Sequence, residues 1–197
     1  MQKLKVIYED NHIIVVEKTP NIPSQADKTG DTDMLSLVKS YIKEKYNKPG
    51  NVYLGLVHRL DRPVGGIMIF AKTSKAASRL SNQVREKIFK KKYLAVVEGK
   101  FEKEEGTLDY LAKNTKTNTS KIVNKSNKDA KLAKLDYKVL SYNKQENLSL
   151  VEVNLHTGRH HQIRVQLANV GHSLYGDQKY GTTGKNKQIA LWAYKLT

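Results

Sequence analysis

The sequence predicts an α+β fold: a largely antiparallel mixed sheet with flanking helices and loops. Three observations carry that prediction. Strand-like runs outnumber helical ones, few of them alternate with helices as a parallel sheet requires, and several are joined by short polar turns. With 197 residues and no internal repeat, the chain is expected to form a single domain.

Residues 4–8 and 12–17 read as a hairpin turning at Glu9-Asp10-Asn11. Pro20 and Pro23 exclude regular structure from the stretch that follows. From Asp33 onward, Met34, Leu35, Leu37, Val38, Tyr41 and Ile42 recur at helical spacing, and Pro49-Gly50 stops that helix. A short strand leads into the polar turn His58-Arg59-Leu60-Asp61-Arg62-Pro63-Val64-Gly65-Gly66, and the apolar run 67–71 is a buried strand. Ser74 is expected to cap a helix reaching about Lys87, with Ala77, Leu80 and Val84 on one face.

Residues 90–99 read as a strand entered through a basic cluster. Residues 101–130 are poor in apolar side chains and suggest a basic hairpin or long loop inserted into the body. Leu132–Tyr142 and Leu148–Leu155 read as antiparallel strands around a turn at 143–147. Thr157-Gly158-Arg159 is expected to open a short helix that buries Ile163, Leu167 and Val170 and ends at Gly171. His160 and Arg164, four apart, would share another of its faces. Residues 189–194 form the last strand.

The formal charge of +16, from 35 Lys and Arg against 19 Asp and Glu, points to a polyanionic partner. Nucleic acid is favoured over membrane, because no basic amphipathic helix with a broad apolar face stands out. A lysine-rich background would give the same charge without such a partner. No apolar run approaches about 18 residues, and the first residues lack the apolar core of a signal peptide. The absence of cysteine excludes disulfides, thiolate catalysis and cysteine-ligated zinc. Together these features favour a cytoplasmic protein.

Asp61, flanked by Arg59 and Arg62 between two apolar strands, is the first candidate for chemistry, since charge there is costly unless paired or used. Nearby positive charge keeps a carboxylate ionised and suits it to nucleophilic work, yet taken alone the spacing favours a structural ion pair. Tyr93, alternating with Leu94 and Val96, reads by itself as strand packing. His156, His160 and His161 lack the spacing of a metal site, so no metal and no cofactor are expected. Arg159, His160, His161 and Arg164 form a cationic patch that suits a phosphate or simply a wet surface. Eight lysines against two aspartates between Lys113 and Lys138 read either as a solvated loop or as a phosphate-contacting arm. Gly65-Gly66 lacks the spacing of a nucleotide-binding glycine loop.

Taken together, these stretches resemble the RluA-like family of pseudouridine synthases. His58-Arg59-Leu60-Asp61 with Gly66 and Ala71-Lys72 is similar to that family's catalytic motif, and Lys92-Tyr93 with Gly99 to its tyrosine strand. Thr157 through Val165, then Gly171-His172, Gly176-Asp177 and Tyr180-Gly181, resembles its C-terminal motif, and Val15-Val16-Glu17-Lys18 with Pro20 also fits. The resemblance runs in order from about residue 4 to 196. Two departures stand out: Val64-Gly65 replaces the usual Thr-Ser, and His160 replaces a Thr. Relatives often continue beyond the Trp192 strand, and no S4-like domain is expected ahead of the catalytic region.

The resemblance implies a pseudouridine synthase fold and isomerisation of specific uridines to pseudouridine in structured RNA, either rRNA or tRNA. Asp61 would be the nucleophile or base that starts glycosidic cleavage, Arg164 its partner, and Tyr93 the packing surface for a flipped uracil. His58, Arg59, Arg62, Lys92, Arg159, His161 and Gln162 would bind substrate. The partner would be RNA alone, with a monomeric protein and no membrane. Two alternatives remain at this level: a non-catalytic RNA-binding module, and an Asp-dependent nucleoside or glycoside hydrolase, for which no second carboxylate lies beside Asp61.

Overall fold

The computed structural model describes residues 4–101, 106–182 and 187–197. The chain divides between Phe89 and Lys90 into two compact units. No helix among the described residues is long and apolar enough to cross a membrane.

In the first unit, β1 (Lys5–Glu9) and β2 (Ile13–Lys18) form the expected hairpin. Asp10 closes its turn by accepting the His12 and Ile13 N–H groups, both at 2.7 Å. Alternation sends Ile14, Val16 and Lys18 inward from β2. β4 (Gly65–Ala71) pairs antiparallel with β2 and with the two-residue β3 (Gly55–Leu56). As its unbroken apolar run requires, β4 is buried along almost its whole length. Helix α1 (Met34–Lys45) is capped by Asp33, whose carboxylate accepts the Ser36 N–H at 3.1 Å, and it buries Met34, Val38 and Ile42.

Helix α2 (Ser74–Arg85) departs from expectation at both ends. Its cap is Thr73, not Ser74: the Thr73 hydroxyl accepts the Ala76 N–H at 3.1 Å from an extended backbone. It stops two residues before Lys87, which itself turns left-handed. Ala76 is the one buried residue of this helix, while Ala77, Leu80 and Val84 are half-covered.

The second unit is a sheet of order β10-β5-β9-β8-β6-β7, built from β5 (Lys91–Glu98), β6 (Gly106–Asn114), β7 (Thr119–Ile122), β8 (Lys131–Asn143), β9 (Leu148–Leu155) and β10 (Leu191–Leu196). All of its pairings are antiparallel. Part of the basic stretch 101–130, residues 102–105, lies outside the described residues. Beyond it β6 and β7 form a hairpin, and β6 also pairs with β8. Leu111 of β6, Ala133 of β8 and Val165 share a buried cluster with Ile122 and Tyr180. The final strand begins two residues later than its apolar run suggests, because Ile189 and Ala190 belong to the approach, where Ala190 N–H donates to the Tyr175 carbonyl.

Helix α3 (Gln162–Asn169) differs most from the sequence reading. Thr157-Gly158-Arg159 forms a turn before it, and His161, left-handed at φ 53°, is its cap residue. His160 therefore precedes the helix and shares no helical face with Arg164; it stacks on His161 instead, with ring centroids 3.7 Å apart. Val170 is 40% exposed rather than buried. Residues 162–167 are buried all round, including two glutamines and an arginine, because each polar side chain finds a partner inside the fold.

Candidate active site

The Asp61 loop is held through its backbone. The Ser24 hydroxyl donates to the Leu60 carbonyl at 2.7 Å and accepts the Leu60 N–H at 3.1 Å. Asn21 N–H donates to the Arg62 carbonyl, and Val64 N–H closes the turn onto the Asp61 carbonyl. Beneath the loop lies Lys18, with no exposed surface, whose ammonium donates to the carbonyls of Thr19, Arg62 and Val64 at 3.2, 2.9 and 2.6 Å. Burial pushes this lysine down to about 8, while the Asp61 charge pulls it up and Arg62 opposes it. Gly66, at φ 130°, sits opposite Lys18 in the β2–β4 register and adopts a backbone that side chains rarely tolerate.

The buried cation felt by Asp61 within this unit is thus Lys18. Arg62 turns its guanidinium to Asp31, Thr29 and Asp27, and Arg59 is exposed. His58 accepts the Ile69 N–H on Nε2 at 3.1 Å and packs on Phe89 with centroids 5.7 Å apart, tying the loop entrance to β4. Replacing Lys18 with Met keeps the volume but leaves three carbonyls without their charged donor. The expected loss is about 2–4 kcal/mol of unfolding free energy, read by urea denaturation. A loss under about 0.5 kcal/mol would mean that the ammonium does not hold the loop.

In the second unit, Arg164 is buried and donates from Nε and Nη2 to the two carboxylate oxygens of Asp177, at 2.7 and 2.6 Å. Asp177, also buried, accepts the N–H groups of Lys179 and Tyr180, so one carboxylate fixes both the arginine and the turn that follows. The Tyr180 ring lies 5.2 Å from the Arg164 guanidinium carbon, and its hydroxyl is 2.8 Å from His161 Nδ1. Tyr93 is buried on the inward face of β5, opposite Val153 and Ala193 in register.

His161 is pushed down to about 2 by burial, then by the positive charges of Arg164, His160, Lys179 and Lys113. It is therefore neutral in the folded chain, while an unfolded histidine titrates near 6.5. Below that value the unfolded state binds a proton that the folded state refuses, so this stability is complete above about pH 6.5 and is lost on acidification. Between pH 7 and 5 the group should remove about 2 kcal/mol. His161→Gln should abolish that part of the pH dependence in urea midpoints; an unchanged slope would rule out a neutral, buried His161.

The remaining predicted binding residues are engaged with protein to different degrees. Lys92 pairs with Glu152 at 2.7 Å, and Arg159 donates from Nε to the Leu132 carbonyl. Gln162 spends its whole amide internally: its oxygen accepts from Thr157 Oγ1 and Arg159 N–H, and its nitrogen donates to the Lys134 carbonyl and Gln166. Among the described residues no group of His, Asp and Glu side chains could hold a metal ion.

A family model described as RNA pseudouridylate synthase matches residues 12–169. The chain belongs to that family. It is 35% identical to an uncharacterized RNA pseudouridine synthase, YhcT, of Bacillus subtilis (strain 168), over 98% of this chain and 63% of the relative. It is likewise 35% identical to ribosomal large subunit pseudouridine synthase C of Rickettsia prowazekii, over 93% of this chain and 57% of the relative. It thus spans less than two thirds of the length of these curated relatives. Among solved structures, human RNA Pseudouridylate Synthase Domain Containing 4 shares the fold, with TM-score 0.82 at 20% identity, covering 98% of this chain and 83% of that one.

The pseudouridylate synthase match includes Asp61, Tyr93 and Arg164, and ends before Asp177 and Tyr180. Asp177 and Tyr180 lie in the C-terminal motif, where nothing in the local sequence assigns their side chains a role. Lys18 was missed in the same way, although a lysine in phase with Ile14 and Val16 on an alternating strand signals an inward charge.

Proposed function

We propose that this chain isomerises uridine to pseudouridine in structured RNA. The observation that carries the reading is membership of the RNA pseudouridylate synthase family across most of the chain. The reaction breaks the bond from C1′ to N1, turns the uracil, and joins C1′ to C5; C5 loses its proton to water, N1 takes one up, and there is no net redox change. Asp61 starts glycosidic cleavage as nucleophile or base. Tyr93 packs on the flipped uracil and assists removal of the C5 proton, and Arg164, oriented by Asp177, supplies buried positive charge.

Base flipping costs a few kcal/mol of stacking and pairing, offset by pocket and phosphate contacts. A loop uridine is the expected target, because single-stranded loops offer bases that can be splayed out. The names of the Rickettsia prowazekii and Zymomonas mobilis relatives, ribosomal large subunit pseudouridine synthases C and D, support large-subunit ribosomal RNA as substrate. His58, Arg59, Arg62, Lys92, Arg159 and His161 are assigned to RNA binding or to shaping its site, and Gln162 to positioning the turn before α3. The protein acts in the cytoplasm as a monomer.

The test is tritium release from bulk rRNA and tRNA labelled at uridine C5. Release into water, with no free uracil, is the expected result. Free uracil would favour a hydrolase, and RNA binding without release would favour a non-catalytic module.

A further inference from the structure

Three consecutive lysines, Lys90 before β5 and Lys91 and Lys92 at its start, have sharply different surroundings. Lys90 is exposed, and Lys92 is neutralised by Glu152 on the outer face of the sheet. Lys91 points to the inner face, two residues from Tyr93, and is half-buried. Burial lowers its pKa, and among the described residues no carboxylate pairs with it. A desolvated ammonium without a counter-charge weakens the fold unless it has another use.

The ammonium lies against Gly158. A Cβ placed on that glycine would stand 3.3 Å from Lys91 Nζ, close enough that the ammonium would have to give by a few tenths of an ångström. The next residue, Arg159, is exposed and anchored through Nε to the Leu132 carbonyl, which leaves its terminal nitrogens without a protein partner among the described residues. The Gly158 N–H is likewise unused within the described residues. An ammonium with no paired acid among the described residues and an unused backbone donor therefore meet at Gly158, with the Arg159 guanidinium carried by the next residue. Such a set fits a tetrahedral dianionic or monoanionic oxygen group better than a base edge or a carboxylate of the protein itself.

We propose that Lys91, Gly158 and Arg159 form a cradle for one backbone phosphate of the RNA, at the rim of the β5 face that carries Tyr93. The inference rests on the RNA-modifying function above. The two-residue step between Lys91 and Tyr93, about 6.6 Å along a strand, matches a nucleotide whose base packs at the tyrosine and whose phosphate lies at the lysine. The cradle thus fixes the register of the target nucleotide, and its own charge makes the apo protein less stable.

The test uses the full chain and a transcribed stem–loop RNA with uridines in its loop. Binding is measured against KCl concentration for wild type, Lys91→Met, Lys91→Arg and Gly158→Ala, with Lys5→Met as a control for a surface lysine already paired with Glu17. Lys91→Met should bind about 10-fold more weakly and reduce the log–log salt slope by about 0.7, one single-strand phosphate contact. Its thermal midpoint should stay level or rise, because a desolvated cation is gone. Lys91→Arg should keep the slope, Gly158→Ala should weaken binding at unchanged charge, and Lys5→Met should match wild type. A wild-type slope in Lys91→Met overturns the cradle while leaving the synthase reading intact, as does weaker binding that merely tracks a lowered midpoint. A wild-type chain that binds no RNA overturns both.

Discussion

Asp61→Asn should lower tritium release from C5-labelled RNA by at least about 10⁴-fold, the scale seen when a lone attacking group is removed. The side chain is nearly isosteric, and the loop that carries it is held by backbone contacts from Ser24, Asn21 and Lys18. The fold and RNA affinity should therefore survive. Loss of charge also removes the attraction that Lys18 feels from Asp61, so the lysine should release its proton at lower pH in the variant. Single-turnover assays at saturating enzyme separate this chemical defect from weakened binding. Activity within about tenfold of wild type would show that another group starts cleavage.

Asp177→Asn should cost about 3–5 kcal/mol of stability, the usual consequence of stranding one charge of a buried pair. The Arg164 guanidinium and the Asp177 carboxylate are both nearly inaccessible to water, so solvent cannot compensate. An amide at this position that keeps its oxygen for the Lys179 and Tyr180 N–H groups turns its NH₂ toward Nε of Arg164, donor against donor. The arginine should then lose its fixed orientation, and catalysis should fall beyond what the folded fraction explains. Urea denaturation measures the first effect, and turnover per folded molecule the second. A stability change below about 1 kcal/mol would mean that the pair behaves as an exposed one.

Both predictions turn on partners that local sequence rules do not reveal. Periodicity located the strands, because a half-buried sheet imposes alternation wherever it sits: the hairpin at Glu9–Asn11, the buried run after Gly66 and the strand Leu148–Leu155 were all legible. Asp33 was legible as the start of α1, since capping is settled within four residues. The cap of α2 slipped by one because Thr73 and Ser74 are both competent and only backbone geometry chooses between them. α3 was misread more seriously. Its polar residues look like a wet face but are buried and satisfied by long-range partners such as Asp177, Asp109 and the Lys134 carbonyl.

The stretch around Asp61 shows the same division. By itself the sequence determined an α+β chain, a carboxylate on a turn between two apolar strands, and ordered motifs that identify its family. Only the tertiary structure decided which charges are buried and what compensates them: Lys18 under the loop, Asp177 on Arg164, and Lys91 with no paired acid among the described residues. The physical reason is that pattern reports on a residue's own backbone, whereas desolvation and charge pairing depend on segments distant in sequence that packing brings together.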